Sequence, residues 1–289
     1  MEKVITPSVL FGLLAMFGWG TGSFVVASLT KKFGVFKVGF LIQILAFFPT
    51  LLLLPIIKEE LILNQTWFYL SLIALIGSLA YISILKSYEQ GIISIVVPLS
   101  SVWAIITAIL SFIFLKESVV PIKIIGMSIA IIGIILISTD FRKVLKEKKI
   151  KIYKGVKWAS LAALAWGVEM FLLAFFSRKL GWYTANLGLR FWNLVIFFLL
   201  AVLIKQKIPL LFKKIPRLIW LAILIDVFTL TTYNLGLVRG EPGVVSVIAS
   251  TSPLITIILA TLFFKEKIEL IQKIGIFLIL AGIASLSLV

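Results

Sequence analysis

The chain has 289 residues, 61% of them hydrophobic and only 14% charged, with 28 Lys and Arg against 12 Asp and Glu for a formal net charge of +16. A soluble domain carries about 25% charged residues, so this composition excludes an ordinary soluble protein. The absence of Cys and His excludes a disulfide framework, a Cys/His zinc site, a thiol nucleophile and a histidine base.

A hydrocarbon core about 30 Å thick takes roughly 20 apolar helical residues to cross, and such runs fill nearly the whole sequence. The spacing predicts crossings over 8–29, 36–57, 66–87, 92–114 and 119–138, then over 154–177, 184–204, 216–237, 243–264 and 268–288. The first run is too long for the apolar part of a cleaved signal and lacks a basic segment before it, so it reads as a retained span. Gly, Pro and charge mark the short connections, as in Lys31-Lys32-Phe33-Gly34 and Arg239-Gly240-Glu241-Pro242-Gly243. One long basic connection, from Asp140 to Lys157, divides the chain. The expected fold is an all-α integral membrane protein of ten transmembrane helices.

The halves on either side of that connection correspond. Lys116-Glu117, Gly126 and Gly133 recur as Lys265-Glu266, Gly275 and Gly282, each 149 residues later. Gly91 and Ser101 recur as Gly240 and Ser250 at the same offset, and Trp19-Gly20 answers Trp166-Gly167 at 147. The expected organisation is a first five-helix repeat over 1–139, a basic cytoplasmic connector over 140–153 and a second repeat over 154–289. Because five is odd, the second repeat must enter the membrane inverted. Inverted repeats are a hallmark of secondary transporters, with the substrate near the midplane where the repeats meet.

Basic residues set the orientation. Seven flank spans on the N-terminal side and twenty on the other, which puts the connector in the cytoplasm and both termini outside. Lys and Arg placed between apolar runs report insertion and contact with anionic lipid, not nucleic acid.

On these residues the chain resembles the EamA-type branch of the drug/metabolite transporter superfamily. The resemblance rests on Trp19-Gly20 and Trp166-Gly167, on Pro98 and Pro253, and on the closing patterns from Leu115 to Gly133 and from Phe264 to Gly282. It covers essentially the whole chain and implies a ten-helix exporter of metabolites or amino acids, with no cofactor. It also implies distant similarity to the four-helix small multidrug resistance proteins, which carry a membrane-embedded Glu in their first helix. Glu169 occupies the corresponding helix of the second half, and Gly22 stands at that place in the first.

Three ionisable residues stand well inside spans: Glu169, Arg190 and Asp226. Each costs at least about 2.5–3.5 kcal/mol on insertion scales and so calls for a reason. At 1.5 Å per residue they lie roughly 12, 9 and 16 Å from helix ends on one side of the membrane, close enough in depth to meet. Polar stripes surround them at helical spacing: Asn186, Arg190 and Asn193; Asp226, Thr229 and Tyr233; Trp166 and Glu169. Ser94, Pro98 and Ser101, with Ser246, Ser250 and Pro253, add polar faces in the fourth span of each half.

Two readings follow. In one, an aqueous cavity lets Arg190 grip a solute anion while Glu169 couples a proton, and Trp19, Tyr81, Trp103 and Trp166 form an aromatic wall. In the other, Arg190 pairs with Asp226 or Glu169 and locks helices together. Gly126, Gly133, Gly275 and Gly282 are expected at close helix contacts. The absence of a G-x-x-x-x-G-K-[ST] loop removes ATP as direct fuel. A lipid-linked-sugar flippase and an enzyme built on Glu169 and Asp226 are the rivals. The sequence leaves monomer and homodimer open.

Overall fold

A chain in hydrocarbon must satisfy every backbone N–H and C=O within itself. The computed structural model describes residues 6–57, 60–91, 93–115, 121–138, 155–264 and 270–286, and among these the chain forms helices and no strands. The 140–153 connector, Lys116-Glu117 and Lys265-Glu266 lie outside the described residues, as do the side chains of Ser94 and Pro98.

The first half comprises α1 (Pro7–Phe33), α2 (Val35–Leu45), α3 (Phe47–Leu52), α4 (Thr66–Gln90), α5 (Ile93–Ser100), α6 (Trp103–Phe114) and α7 (Pro121–Ser138). The second comprises α8 (Val156–Leu180), α9 (Trp182–Leu203), α10 (Ile208–Phe212), α11 (Arg217–Arg239), α12 (Pro242–Ser250), α13 (Pro253–Phe264) and α14 (Leu270–Leu286). Seven stretches among the described residues are long and apolar enough to cross a membrane, and shorter apolar helices accompany them.

Local chemistry sets the ends. Thr6 accepts the Val9 amide at the start of α1, where Pro7 needs no partner. Gly34 and Gly181, 147 residues apart, turn the chain between the first and second helices of each half. Their φ/ψ values of 83°/156° and 79°/150° are nearly identical, in a region that a side chain would strain.

The structure breaks three of the expected continuous spans. The 36–57 span divides at Ala46, three residues before Pro49, whose ring displaces the carbonyl four residues back. The 92–114 and 243–264 spans divide at Ser101-Val102 and Thr251-Ser252, where the backbone tightens into i to i+3 bonds, for example Ile105 N to Val102 O and Ile255 N to Ser252 O, both 3.0 Å. Pro253 opens α13 and cannot continue α12. The short α10 is the one described helix that falls between expected spans.

The two halves contact each other reciprocally. Thr107 Oγ1 donates to Gly167 O at 3.1 Å, and Thr256 Oγ1, 149 residues later, donates to Gly20 O at 2.9 Å. A Cβ on Gly167 would meet Ile106, and one on Gly20 would meet Ile255, again at equivalent places. The same holds where α7 packs on α14. A Cβ on Gly133 would lie 2.7 Å from the Gly275 carbonyl, and one on Gly282 would lie 2.7 Å from that of Gly126. Gly126 faces Gly282 while Gly133 faces Gly275, so these equivalent helices run antiparallel. The expected close-packing glycines are thus at the contact, and the repeats are inverted.

Apolar faces point outward, as a hydrocarbon surround allows. Phe68, Leu72, Leu75 and Leu79 form an exposed stripe on α4, and Leu221, Leu224 and Phe228 form one on α11. Tyr183, Asn186, Arg190 and Tyr233 are buried instead.

Candidate functional site

Inside the bundle a cavity of about 140 Å³ opens between the repeats. The first half lines it with α1, α2, α4 and the break between α5 and α6. The second half lines it with α8, α9, α11 and Ser252 at its own break. Residues at the breaks of the fourth span of each half, Ser101 and Ser252, therefore line the cavity, and irregular backbone inside a membrane is tolerated at such a place.

Its charge centre is an ion pair. Arg190 Nη1 lies 2.6 Å from Asp226 Oδ2, and Nη2 donates to the Asp226 carbonyl at 3.1 Å. Arg190 is 2% exposed and Asp226 25%, so the guanidinium is sealed while its carboxylate partner faces the cavity. Of the two arrangements the sequence left open for Arg190, the structure shows the pair, and the pair lies on the cavity wall.

Glu169, 4% exposed, lines the same cavity from α8. Its carboxylate fills the space left by the missing side chain of Gly77, where any Cβ would overlap it. Oε2 of Glu169, Nε of Arg190 and Oε1 of Gln43 have no hydrogen-bond partner among the described residues.

The three members of the α9 polar stripe go separate ways. Asn193 Oδ1 accepts from Ser78 on α4 at 3.1 Å, and Asn186 Nδ2 donates to Thr231 on α11 at 3.1 Å. Together with the ion pair, these bonds tie α9 to both neighbours. Asn193 lines the cavity, whereas Asn186 is buried away from it. On α11, Asp226 and Thr229 line the cavity. Tyr233 sits behind the wall, its hydroxyl 2.6 Å from Ser246 Oγ. Ser250 Oγ turns back to the Val247 carbonyl at 2.8 Å and Ser101 Oγ to that of Val97 at 3.3 Å, but only Ser101 reaches the lining.

Trp19, Tyr81, Trp103 and Trp166 all line the cavity. Trp19 and Trp103 meet edge to face at 5.5 Å between centroids, and Trp19 tilts over Tyr233 at 4.9 Å. Contacts of this kind fix the rings and leave other faces open to the cavity.

Sequence reasoning missed Gln43 and Gly77. Gln43 is a lone amide in an apolar run, and it stands 147 residues before Arg190, the offset that relates Gly34 to Gly181. That arithmetic was available to find it. Gly77 carries no chemistry of its own, and only its packing against Glu169 reveals it.

Three comparisons bear on this architecture. The model of the EamA-like transporter family matches residues 6–139 and again 153–288, once per half. An uncharacterized protein of Methanocaldococcus jannaschii is 35% identical over 135 residues, which are 45% of this chain and 96% of that protein. It is therefore similar to a single half. An uncharacterized transporter of Haemophilus influenzae is 30% identical over 138 residues, 45% of this chain and 42% of that one. A solved crystal structure of a protein superposes with a TM-score of 0.73 at 14% identity, covering 99% of this chain and 97% of that one, which shows a shared fold.

Proposed function

The chain belongs to the EamA-like transporter family and is a multi-pass membrane transporter, and we propose that it is a secondary active carrier exporting small metabolites or amino acids by alternating access. The carrying observation is the cavity of about 140 Å³ at the junction of two inverted repeats, lined from both and holding an ion pair with a further acid. A site at a repeat junction flanked by broken helices is what a rocking carrier requires, because each repeat can close one end of it. Charged groups are costly to bury in a membrane, which supports a functional reason for keeping three of them at this cavity.

In this reading Trp19, Tyr81, Trp103 and Trp166 hold the solute body. Ser101, Asn193 and the Arg190–Asp226 pair provide polar contacts, and Glu169 couples transport to protons. Asn186, Tyr233 and Ser250 stand behind that wall and hold it in place. The connector is cytoplasmic and the ten crossings leave both termini outside, as the distribution of basic residues supports. The test is uptake and efflux of an amino-acid and metabolite panel in proteoliposomes, with internal and external pH controlled. Solute accumulation against its gradient, driven by an imposed pH difference and lost on dissipating it, is the expected result. Carriage of every solute at a rate indifferent to any imposed ion gradient would overturn the active-carrier reading.

A further inference from the structure

The helices around the cavity sort into two bundles, and each bundle draws on both halves. In one, α1 of the first half packs on α11, α12 and α13 of the second. Ser8 Oγ accepts the Glu241 amide at 2.9 Å, and Thr256 Oγ1 donates to Gly20 O. A Cβ on Gly12 would strike Ile248, and one on Gly18 would strike Thr229. In the other bundle, α8 of the second half packs on α4, α5 and α6 of the first. There a Cβ on Gly155, which stands 147 residues after Ser8, would lie 2.9 Å from Gly91 Cα. Thr107 Oγ1 donates to Gly167 O, and the Glu169 carboxylate occupies the space beside Gly77. Packing this close leaves each bundle little freedom to slide within itself.

The cavity lies between these bundles. α1, α11 and Ser252 line it from one bundle, α4, α8 and the break between α5 and α6 line it from the other, and α2 and α9 complete the lining. The bundles meet firmly at one end. There α12 packs against α6, while the equivalent pair, α5 and α13, barely touches among the described residues. Trp103 of α6 stands at the closed end, 5.5 Å from Trp19 on α1 and 6.2 Å from Tyr233 on α11 between ring centroids. The positions equivalent to Trp103, Trp19 and Tyr233 hold Ser252, Trp166 and Ile84, and all three line the cavity. The lining reaches Tyr88, close to the end of α4, yet on α11 it stops at Leu230, well short of Arg239.

We propose that the crossed bundles, not the halves of the sequence, are the bodies that move against each other, and that Trp103 is the latch that keeps one end shut. This deepens the carrier reading above and rests on it for the purpose of the motion, though not for the identity of the bodies. Edge-to-face aromatic contacts add to plain burial, and Trp103 makes two of them across the bundle boundary. Ser252 has no ring, so the other end lacks this latch. Ser8 and Gly240 belong to different halves but to one bundle. Trp19 and Trp103 belong to one half but to opposite bundles. The two choices of moving body therefore make opposite demands on these contacts.

The test uses purified full-length protein in lipid nanodiscs, with pairs of spin-labelled cysteines placed in this Cys-free chain and distances read by pulsed electron paramagnetic resonance. Leu10 on α1 and Val238 on α11 report one bundle, and Phe114 on α6 and Lys179 on α8 report the other; all four are exposed, near the closed end. Trp103→Ala is expected to lengthen the Leu10–Phe114 and Lys179–Val238 distances by several ångströms, or to give each a second, longer population. The Leu10–Val238 and Phe114–Lys179 distances should hold. Tyr233→Leu removes the ring on the facing bundle, should act in the same direction, and serves if Trp103→Ala fails to fold. A change in either distance within a bundle overturns the proposal, above all one that leaves Leu10–Phe114 fixed, because the halves would then be the bodies. Distances between bundles that stay unchanged in the folded variants overturn the latch. The carrier reading fails separately: distances that respond as described, in a protein that carries no solute across proteoliposomes, would remove transport and leave the two bodies intact.

Discussion

Gly133 and Gly282 offer a quantitative test of the inverted architecture. A Cβ at Gly133 would lie 2.7 Å from the Gly275 carbonyl and 2.8 Å from Ile279 Cγ1, and one at Gly282 would lie 2.7 Å from the Gly126 carbonyl. Ordinary contact begins near 3.4 Å, so α7 and α14 must part by about 0.7 Å to admit either methyl group. Two of the three nearest atoms at each glycine are backbone and cannot rotate away. Overpacking of this kind costs about 1–3 kcal/mol. Because the two contacts are equivalent, Gly133→Ala and Gly282→Ala should lower stability by similar amounts. They lie about 10 Å apart along one helix pair, so a separation forced by the first methyl group relieves most of the clash of the second. The double variant should therefore cost clearly less than the two singles together. Thermal unfolding in detergent, with cavity-remote substitutions as controls, measures all three. Full additivity, or one single variant that costs nothing, would refute the reciprocal packing.

Arg190→Ala should destabilise the protein by about 3 kcal/mol, the lower end for a broken buried pair because Asp226 is partly exposed, and adding Asp226→Asn should recover most of the loss in the same melting assay. Gly77→Ala should impair transport severely by displacing the Glu169 carboxylate. Gly22→Ala, whose methyl group meets only Ile225 at 3.2 Å, should be far milder in proteoliposome flux. In this Cys-free chain, Asn64→Cys and Gln206→Cys should react with an impermeant maleimide from opposite sides of the membrane, and reaction from one side would reverse the inversion.

The repeats were legible in the sequence because their shared residues are ones that backbone geometry demands. Gly20, Gly133, Gly167 and Gly282 each sit where a Cβ would strike the opposite half, so little else fits and the offsets of 147 and 149 survive. The depth of Arg190 and Asp226 was legible too, since helical rise converts residue count into height. Which neighbour Arg190 takes was not, because azimuth around a lipid-embedded helix depends on packing that hydropathy does not encode. Asn186 illustrates this: it shares a stripe with Arg190 but turns to Thr231, away from the cavity. The breaks in the fourth span of each half went unread as well. Their signal is short: Ser100-Ser101 and Ser250-Thr251-Ser252, the latter followed by Pro253, are polar clusters inside long apolar runs, and window hydropathy averages them away.

The unequal distribution of charge over equal scaffolds has an energetic consequence. Gly22, Gln43 and Gly77 of the first half stand where the second half has Glu169, Arg190 and Asp226. Were the halves identical, rocking either way about their shared axis would give two end states related by a two-fold rotation and of equal energy, and neither face of the membrane would be preferred at rest. Placing all three charges of the cavity lining on one half removes that degeneracy. In the carrier proposed above, one end state would wet Glu169 and Asp226 from one side and the other from the opposite side, with different desolvation in each. A membrane potential adds about 2.3 kcal/mol per elementary charge per 100 mV to whichever state moves net charge across it. The resting bias of such a molecule is written in the three positions where its first half chose glycine or glutamine.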